Sequence, residues 1–318
     1  MDKIRLSGHI WTVVPRLIGN MSVGMPQGTP WNLTYQADDG SDVLIAGRFL
    51  GSEKAKSLVI LLHGLGGSSA SPYCRNAMSH LETDDIAILS LAMRGSDRSG
   101  QDFYHCGLTD DLHALVKDPW AEQFDKIYIL GFSVGGHVAL KFATEEGAEA
   151  VSGVAGICCP LDLKACSDWM DGVGRNFYRR HVLKGLKEIY TLVAESGKPV
   201  PTPVEKVQAI DSFREWDEFT VVPRYGFDSV EHYYESQSVS GHLSKLRIPS
   251  LLIVAENDPM VPAWTIRPAL EDAAPCLDVH WVERGGHLGF PRKLNLGFGS
   301  DKDLGLTRQI FAWFRSQS

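Results

Sequence analysis

Apolar residues along this chain gather in short continuous runs, and polar loops or stretches of helical spacing separate one run from the next. Ser57 to Leu62 (SLVILL), Ile86 to Ala92 (IAILSLA), Ile127 to Leu130, Ala150 to Cys158 and Ile248 to Ala255 (IPSLLIVA) are such runs, and Leu277 to Val282 is a further strand candidate in which His280 alternates. Ser57 to Leu62 and Ile86 to Ala92 predict strands covered on both faces, and the others predict further strands. Helical spacing marks Ser71 to Thr83, the segment opening at Thr109-Asp110-Asp111-Leu112, the positions Val134, Val138, Ala139 and Phe142, and stretches near Ala263 to Asp272 and Lys302 to Phe314. Strand alternating with helix predicts the α/β class, with a mostly parallel central sheet flanked by helices. Residues 1–56 read as an approach segment followed by an early strand, Asp42 to Leu50, behind the turn Asp38-Asp39-Gly40.

The alternation stops between Pro160 and Leu243, where aromatic and basic residues gather around a proline-rich break at Lys198 to Pro203. This predicts an inserted helical cap, residues 160–243, on a core domain made of residues 1–159 and 244–318. The cap's Arg175, Arg179, Arg180, Lys184 and Lys187 have two readings: contact with a phosphate-bearing lipid, or the solvated face of a helix, which is the commoner fate of helix charges.

With 318 residues, 44% hydrophobic and 22% charged, the chain has ample apolar material for one large core with an insertion. The net charge of −8 and pI near 5.8 argue against a nucleic-acid partner or an anionic lipid surface and favour a neutral, small-molecule substrate. Six cysteines without a C-x-x-C pair suggest reduced thiols, and the adjacent Cys158 and Cys159 read as small core residues. No secretory signal is legible at the start, and no stretch reaches the roughly 18 apolar residues of a membrane span. The expectation is a cytoplasmic protein with no integral membrane segment.

Chemistry enters at Gly131-Phe132-Ser133-Val134-Gly135, a G-x-S-x-G where the run Ile127 to Leu130 gives way to helical spacing. A serine at a sharp strand-to-helix turn leaves no room for side chains two residues to either side, and glycines stand at both places. Ser133 is therefore the candidate nucleophile. An oxyanion formed by its attack needs two N–H groups aimed at one point. Val134 and, in the loop His63-Gly64-Leu65-Gly66-Gly67 after an earlier strand, Leu65 are the candidates. No G-K-[ST] or G-x-G-x-x-G accompanies these glycines, so a phosphate cradle is disfavoured.

Serine needs a histidine base, and the base needs a carboxylate. Among eleven histidines, His287 follows the last predicted strand in a glycine loop, Arg284-Gly285-Gly286-His287-Leu288-Gly289. His137 is too deep in its helix, His280 alternates within a strand, His63 suits ordering of its loop, and His105 is the strongest rival. For the acid, Asp258 lies just past the run ending at Ala255, with Glu256 and Asp162 as rivals. No metal or cofactor is called for. His63, Trp169, Phe213 and Trp216 are candidates to contact substrate.

These residues resemble the α/β-hydrolase superfamily, and within it the YheT-like branch, whose animal members carry a membrane anchor and whose yeast members act as alcohol acyltransferases. The resemblance spans nearly the whole chain: Gly8-His9 with Thr12 and Pro15, HGLGGSSASPY (63–73), RGSDRSG (94–100), YHCGLTDDL (104–112), GFSVGGHVALKFATEEG (131–147), CCPLDL (158–163), SFREWDEFTVVPRYGFDSVEHYY (212–234) and AENDPMV (255–261). It implies Ser133, Asp258 and His287 as a triad. The acid loop departs from the pattern in carrying Asn257 where a second aspartate is expected, and the membrane anchor of the animal members is expected to be missing. The expected activity is hydrolysis of short- to medium-chain acyl esters through a serine acyl-enzyme. Acyl transfer to an alcohol, a lipase- or phospholipase-like activity, and a non-catalytic binding scaffold are the alternatives.

Overall fold

The apolar runs become strands whose side chains alternate between two cores. In Ser57–Leu62, Leu58, Ile60 and Leu62 enter one core cluster, while Val59 and Leu61 enter the other, the period of two that a pleated strand imposes. The structure is a computed structural model of the chain and describes residues 4–22, 28–37, 40–52, 54–80 and 85–317. Its eight strands are β1 (Thr29–Gln36), β2 (Asp42–Leu50), β3 (Ser57–Leu62), β4 (Ile86–Ala92), β5 (Lys126–Phe132), β6 (Gly153–Ile157), β7 (Ser250–Ala255) and β8 (Leu277–Val282). They form one sheet in the order β1-β2-β4-β3-β5-β6-β7-β8. β2 runs antiparallel to β1 and β4, and from β4 to β8 neighbouring strands are parallel.

β4 lies on one side of β3 and β5 on the other. The chain therefore reverses its direction of travel across the sheet at β3, and the loops leaving β3 and β5 diverge at their carboxyl ends. Such a switch point is where open α/β sheets hold ligands. The loop after β3 begins at His63, and the turn after β5 contains Ser133.

Two elements of the N-terminal segment went unforeseen. Leu6–Ser22 is a helix, and Thr29–Gln36 is the edge strand β1. The helix contains Gly8 and Pro15, which weaken its local signal. The edge strand is only half buried, and Trp31 covers it against Trp120 with ring centroids 5.0 Å apart. Asp38 and Asp39 of the expected turn, and Thr83 at the end of one expected helix, lie outside the described residues. That helix is shorter than expected, Pro72–Met78.

Between β6 and β7 the chain is helical: Leu163–Asp171, Asn176–Glu195, Val204–Ala209, Phe213–Trp216, a π-helical turn Asp217–Val221, Val222–Tyr225 and Val230–Gln237. The five basic residues with two readings, Arg175, Arg179, Arg180, Lys184 and Lys187, are engaged within the chain. Arg175 lies over the Trp169 ring, Arg179 donates to Asp171 O and Asn176 Oδ1, Arg180 lies 3.5 Å from Asp211, Lys184 4.0 Å from Glu188, and Lys187 donates to Gln208 O and Ile210 O. No described helix is long and apolar enough to cross a membrane.

Candidate active site

Ser133 stands at the end of β5 with φ 54° and ψ −122°, a conformation a side-chain-bearing residue adopts only when its surroundings impose it. Its N–H donates to Ile157 O at 2.8 Å, and its carbonyl accepts from Gly136 and His137 at the start of the helix Val134–Ala143. A Cβ on Gly131 would overlap the Gly135 carbonyl, and one on Gly135 would overlap the carbonyl oxygens of Leu62 and His63. Both glycines are thus required by close backbone approach.

Asp258 is wholly buried, and its Oδ2 lies 2.9 Å from His287 Nδ1. Oδ1 accepts the N–H groups of Met260 at 2.8 Å and Val261 at 3.0 Å, which holds the carboxylate in one orientation. With Nδ1 taken by Asp258, Nε2 is the remaining basic nitrogen of His287. His287 and Ser133 line the same cavity, of about 1240 Å³. The rival acids are elsewhere. Asp162 caps the helix Leu163–Asp171 by accepting from Ala165 N, and Glu256 faces solvent 4.0 Å from Arg267.

Leu65 and Val134 also line the cavity. Val134 opens its helix, so its N–H belongs to the first turn that has no helical acceptor. In the loop after β3, Gly64 N–H donates to the Tyr73 hydroxyl and Gly66 N–H to the Tyr104 hydroxyl, each at 2.8 Å, and Gly67 N–H donates to Gly64 O. Among the described residues no acceptor meets the Leu65 N–H. The pinned neighbours leave this one donor available at the cavity wall.

Of the four side chains expected to contact substrate, Phe213 and Trp216 line the cavity and the other two do not. His63 is fully buried beneath the loop, where Nδ1–H donates to Gly64 O and Nε2 accepts from Met93 N–H and the Ser96 hydroxyl. Burial pushes its pKa down to about 4, so it is a neutral brace for the loop. Trp169 donates from Nε1 to Pro259 O at 2.9 Å, tying the helix Leu163–Asp171 to the acid loop. His105, the rival base, accepts Gly107 N–H at Nδ1 and sits among the rings of Tyr225, Phe227 and Tyr233.

Sequence reasoning gave no role to Thr12, whose hydroxyl accepts His287 N–H at 2.8 Å and donates to Gly8 O at 2.7 Å. A Cβ on Gly8 would overlap Asn257 O, and one on Gly286 would overlap Gly8 O. The N-terminal helix is therefore pressed against both the acid loop and the base loop. Asn257 shares in this: its Nδ2 donates to Glu283 O at 3.1 Å, and its Oδ1 accepts from Arg5 N. The available signal was the one-turn spacing of Gly8 and Thr12, a small and a hydroxyl residue on one helix face.

Cys158 Sγ, the Asp258 carboxylate and His287 have ligand atoms within 4.8 Å of one another. The donor set suits a metal poorly, because Asp258 and His287 already hold each other and burial raises the Cys158 thiol well above its ordinary pKa.

The α/β-hydrolase fold model matches residues 57–293. The chain belongs to the α/β-hydrolase fold family. YheT of Escherichia coli is 26% identical over 294 residues, 89% of this chain and 84% of that protein, and places the chain in the YheT-like branch. Two Saccharomyces cerevisiae proteins, "Medium-chain fatty acid ethyl ester synthase/esterase 2" and "Monoacylglycerol lipase", are each 26% identical over 64% and 67% of this chain, which spans about half of their lengths, 51% and 50%. A dienelactone hydrolase from Anabaena variabilis superposes with a TM-score of 0.51 at 17% identity, over 91% of this chain and 98% of its own, which shows the shared fold. The chain is a hydrolase of this family.

Proposed function

We propose that the protein is a carboxylic ester hydrolase that acts through an acyl-enzyme on Ser133 and prefers short- to medium-chain acyl esters. The observation that carries this reading is the strained Ser133 turn opening, together with the Asp258–His287 pair, into one cavity. His287 Nε2 takes the hydroxyl proton as Ser133 Oγ bonds to the ester carbonyl carbon. Asp258 keeps the Nδ1–H tautomer and stabilises the imidazolium. The N–H groups of Leu65 and Val134 receive the developing oxyanion, a contribution of order 10²–10³ in rate per donor. His287 then protonates the departing alcohol, and a water repeats the sequence to release the acid.

The helices between β6 and β7 act as a cap that supplies Phe213 and Trp216 to the acyl site. Preference for medium chains is supported by this aromatic surface and by the name of the yeast ethyl ester synthase/esterase. That name also supports a second outcome of the same chemistry, capture of the acyl-enzyme by an alcohol. A series of p-nitrophenyl esters from acetate to palmitate, run with the intact protein and with Ser133→Ala, tests the hydrolase reading. Ethanol added to the same assay reveals transfer as ethyl ester formed at the expense of acid. Turnover surviving in soluble Ser133→Ala protein would exclude the acyl-enzyme.

A further inference from the structure

The loop that carries Leu65 follows β3, yet it rests on the helix Asn176–Glu195 of the segment between β6 and β7. Two glycines face each other there. Gly66 has φ +70°, and a Cβ on it would lie 2.6 Å from Val182 O, while a Cβ on Gly185 would overlap the Gly66 carbonyl oxygen. Gly185 is buried in the middle of this 20-residue helix, where glycine weakens a helix relative to alanine. In return, the position offers a slot that admits the Gly66 carbonyl. The same helix meets the loop after β4 in a similar way: a Cβ on Gly100 would lie 2.7 Å from Leu192 O, and Ser196 Oγ donates to Gly100 O at 2.6 Å. The helix is thus seated on two loops that leave the carboxyl ends of strands.

The first of these contacts reaches Leu65 through planar peptides. A trans peptide points its C=O and its N–H in opposite directions, so fixing one end aims the other. With Gly66 O in the slot at Gly185, the N–H of the same peptide, that of Gly67, donates to Gly64 O at 3.0 Å. Gly64 O also accepts His63 Nδ1–H at 2.8 Å, and it is the carbonyl of the peptide whose N–H belongs to Leu65. Two donors on that oxygen hold the Leu65 N–H facing away from them. On the other side of Leu65, the Gly66 N–H donates to the hydroxyl of the buried Tyr104 at 2.8 Å. Leu65, Gly66, Tyr104 and Val182 all line the cavity that holds Ser133.

Resting on the ester-hydrolase reading, we infer that Gly185 and Tyr104 are positioning residues for the Leu65 N–H, and that the helix Asn176–Glu195 thereby takes part in oxyanion stabilisation. A Cβ at position 185 displaces Gly66 O, turns the Gly66–Gly67 peptide and, through Gly64 O, swings the Leu65 N–H off the oxyanion. The loss falls on the transition state, where charge develops on the carbonyl oxygen, and hardly on the bound ester.

The test compares the intact protein with Gly185→Ala and Tyr104→Phe, with rates expressed per site titrated to completion by a fluorophosphonate so that misfolded protein does not count. For p-nitrophenyl octanoate, kcat is expected to fall between about tenfold and a hundredfold in Gly185→Ala, short of the loss of a whole donor, and about tenfold in Tyr104→Phe. KM should stay within about twofold in both. Inhibition supplies a second readout. Ser133 Oγ adds to 1,1,1-trifluorodecan-2-one: the O–C bond forms, the carbonyl π pair moves onto oxygen, and the hydroxyl proton passes to His287 Nε2. Decan-2-one serves as the ketone that binds without this addition. Ki for the trifluoroketone should rise by the factor that kcat falls, and Ki for decan-2-one should stay within about twofold. A helix that serves packing alone would lower Tm or the titrated fraction and leave kcat per site and both Ki values unchanged, a result that would overturn the inference. If Gly185→Ala gives no titratable protein, Tyr104→Phe decides by the same readings. An intact protein that turns over esters, resists the fluorophosphonate and binds both ketones alike would contradict the acyl-enzyme itself, and the positioning role would fall with it.

Discussion

Ser133 is held in a left-handed conformation by two glycine contacts and a hydrogen bond from its own N–H, so its hydroxyl is placed by backbone and not by side-chain partners. His287 is placed from two directions: Asp258 at Nδ1 and Thr12 at the backbone N–H. Asp258→Asn should therefore lower kcat by a factor on the order of 10⁴ through the wrong tautomer, whereas Asp162→Asn and Glu256→Gln should cost far less. Steady-state kinetics of the three variants decide among the acids, and a larger loss at Asp162 than at Asp258 would contradict the assignment. Thr12→Val removes one hydrogen bond to the base loop and should lower kcat about tenfold with KM little changed. Thr12→Ser, which keeps the hydroxyl, should restore most of it.

Among the elements, those whose signal is local were legible and those made by tertiary contact were not. β3 and β4 coincide with the apolar runs read from the sequence, because strands buried on both faces need continuous apolar residues, and the half-buried β8 coincides with the strand read at Leu277 to Val282. The helix Leu6–Ser22 owes its place to Gly8 and Thr12 fitting against Asn257 and His287, more than 240 residues away, as the separation of Arg5 and Asn257 by 252 positions illustrates. No window of sequence contains that information. Trp169 and Trp216 looked alike as cap aromatics, yet a partner at Pro259 O turns the first away while the second reaches the cavity. Replacing Phe213 or Trp216 by Ala should shift the p-nitrophenyl ester optimum, since each buried methylene is worth about 0.8 kcal/mol, and Trp169→Ala should leave the chain-length profile unaltered. An unchanged profile in the first two variants would move specificity away from the cap.

Across the whole molecule, buried titratable groups predict how stability follows pH. Burial pushes the pKa values of His63 and His105 down to about 4 and about 3, and lowers that of His137. The unfolded chain protonates these histidines near 6.5, before the folded chain does, so the stability they contribute is complete above that pH and is lost as pH falls toward 4. Asp217 acts in the opposite sense. With its pKa raised to about 7, it favours the folded state at low pH and loses that contribution as pH rises from about 4 to about 7. Three histidines outweigh one carboxyl group, so Tm should fall on acidification from pH 7 to pH 4. Asp217→Asn, which removes the opposing group, should gain stability relative to the intact protein at pH 8 but not at pH 4. A Tm that holds steady across this range would mean that the buried rings are protonated without penalty. The most direct measurement of the whole reading is intact-mass and peptide-mass analysis after reaction with a fluorophosphonate. One adduct is expected, on the peptide containing Ser133, slowed by octanoate ester and absent from Ser133→Ala. A protein that turns over esters yet stays unlabelled, or that is labelled at another residue, would contradict it.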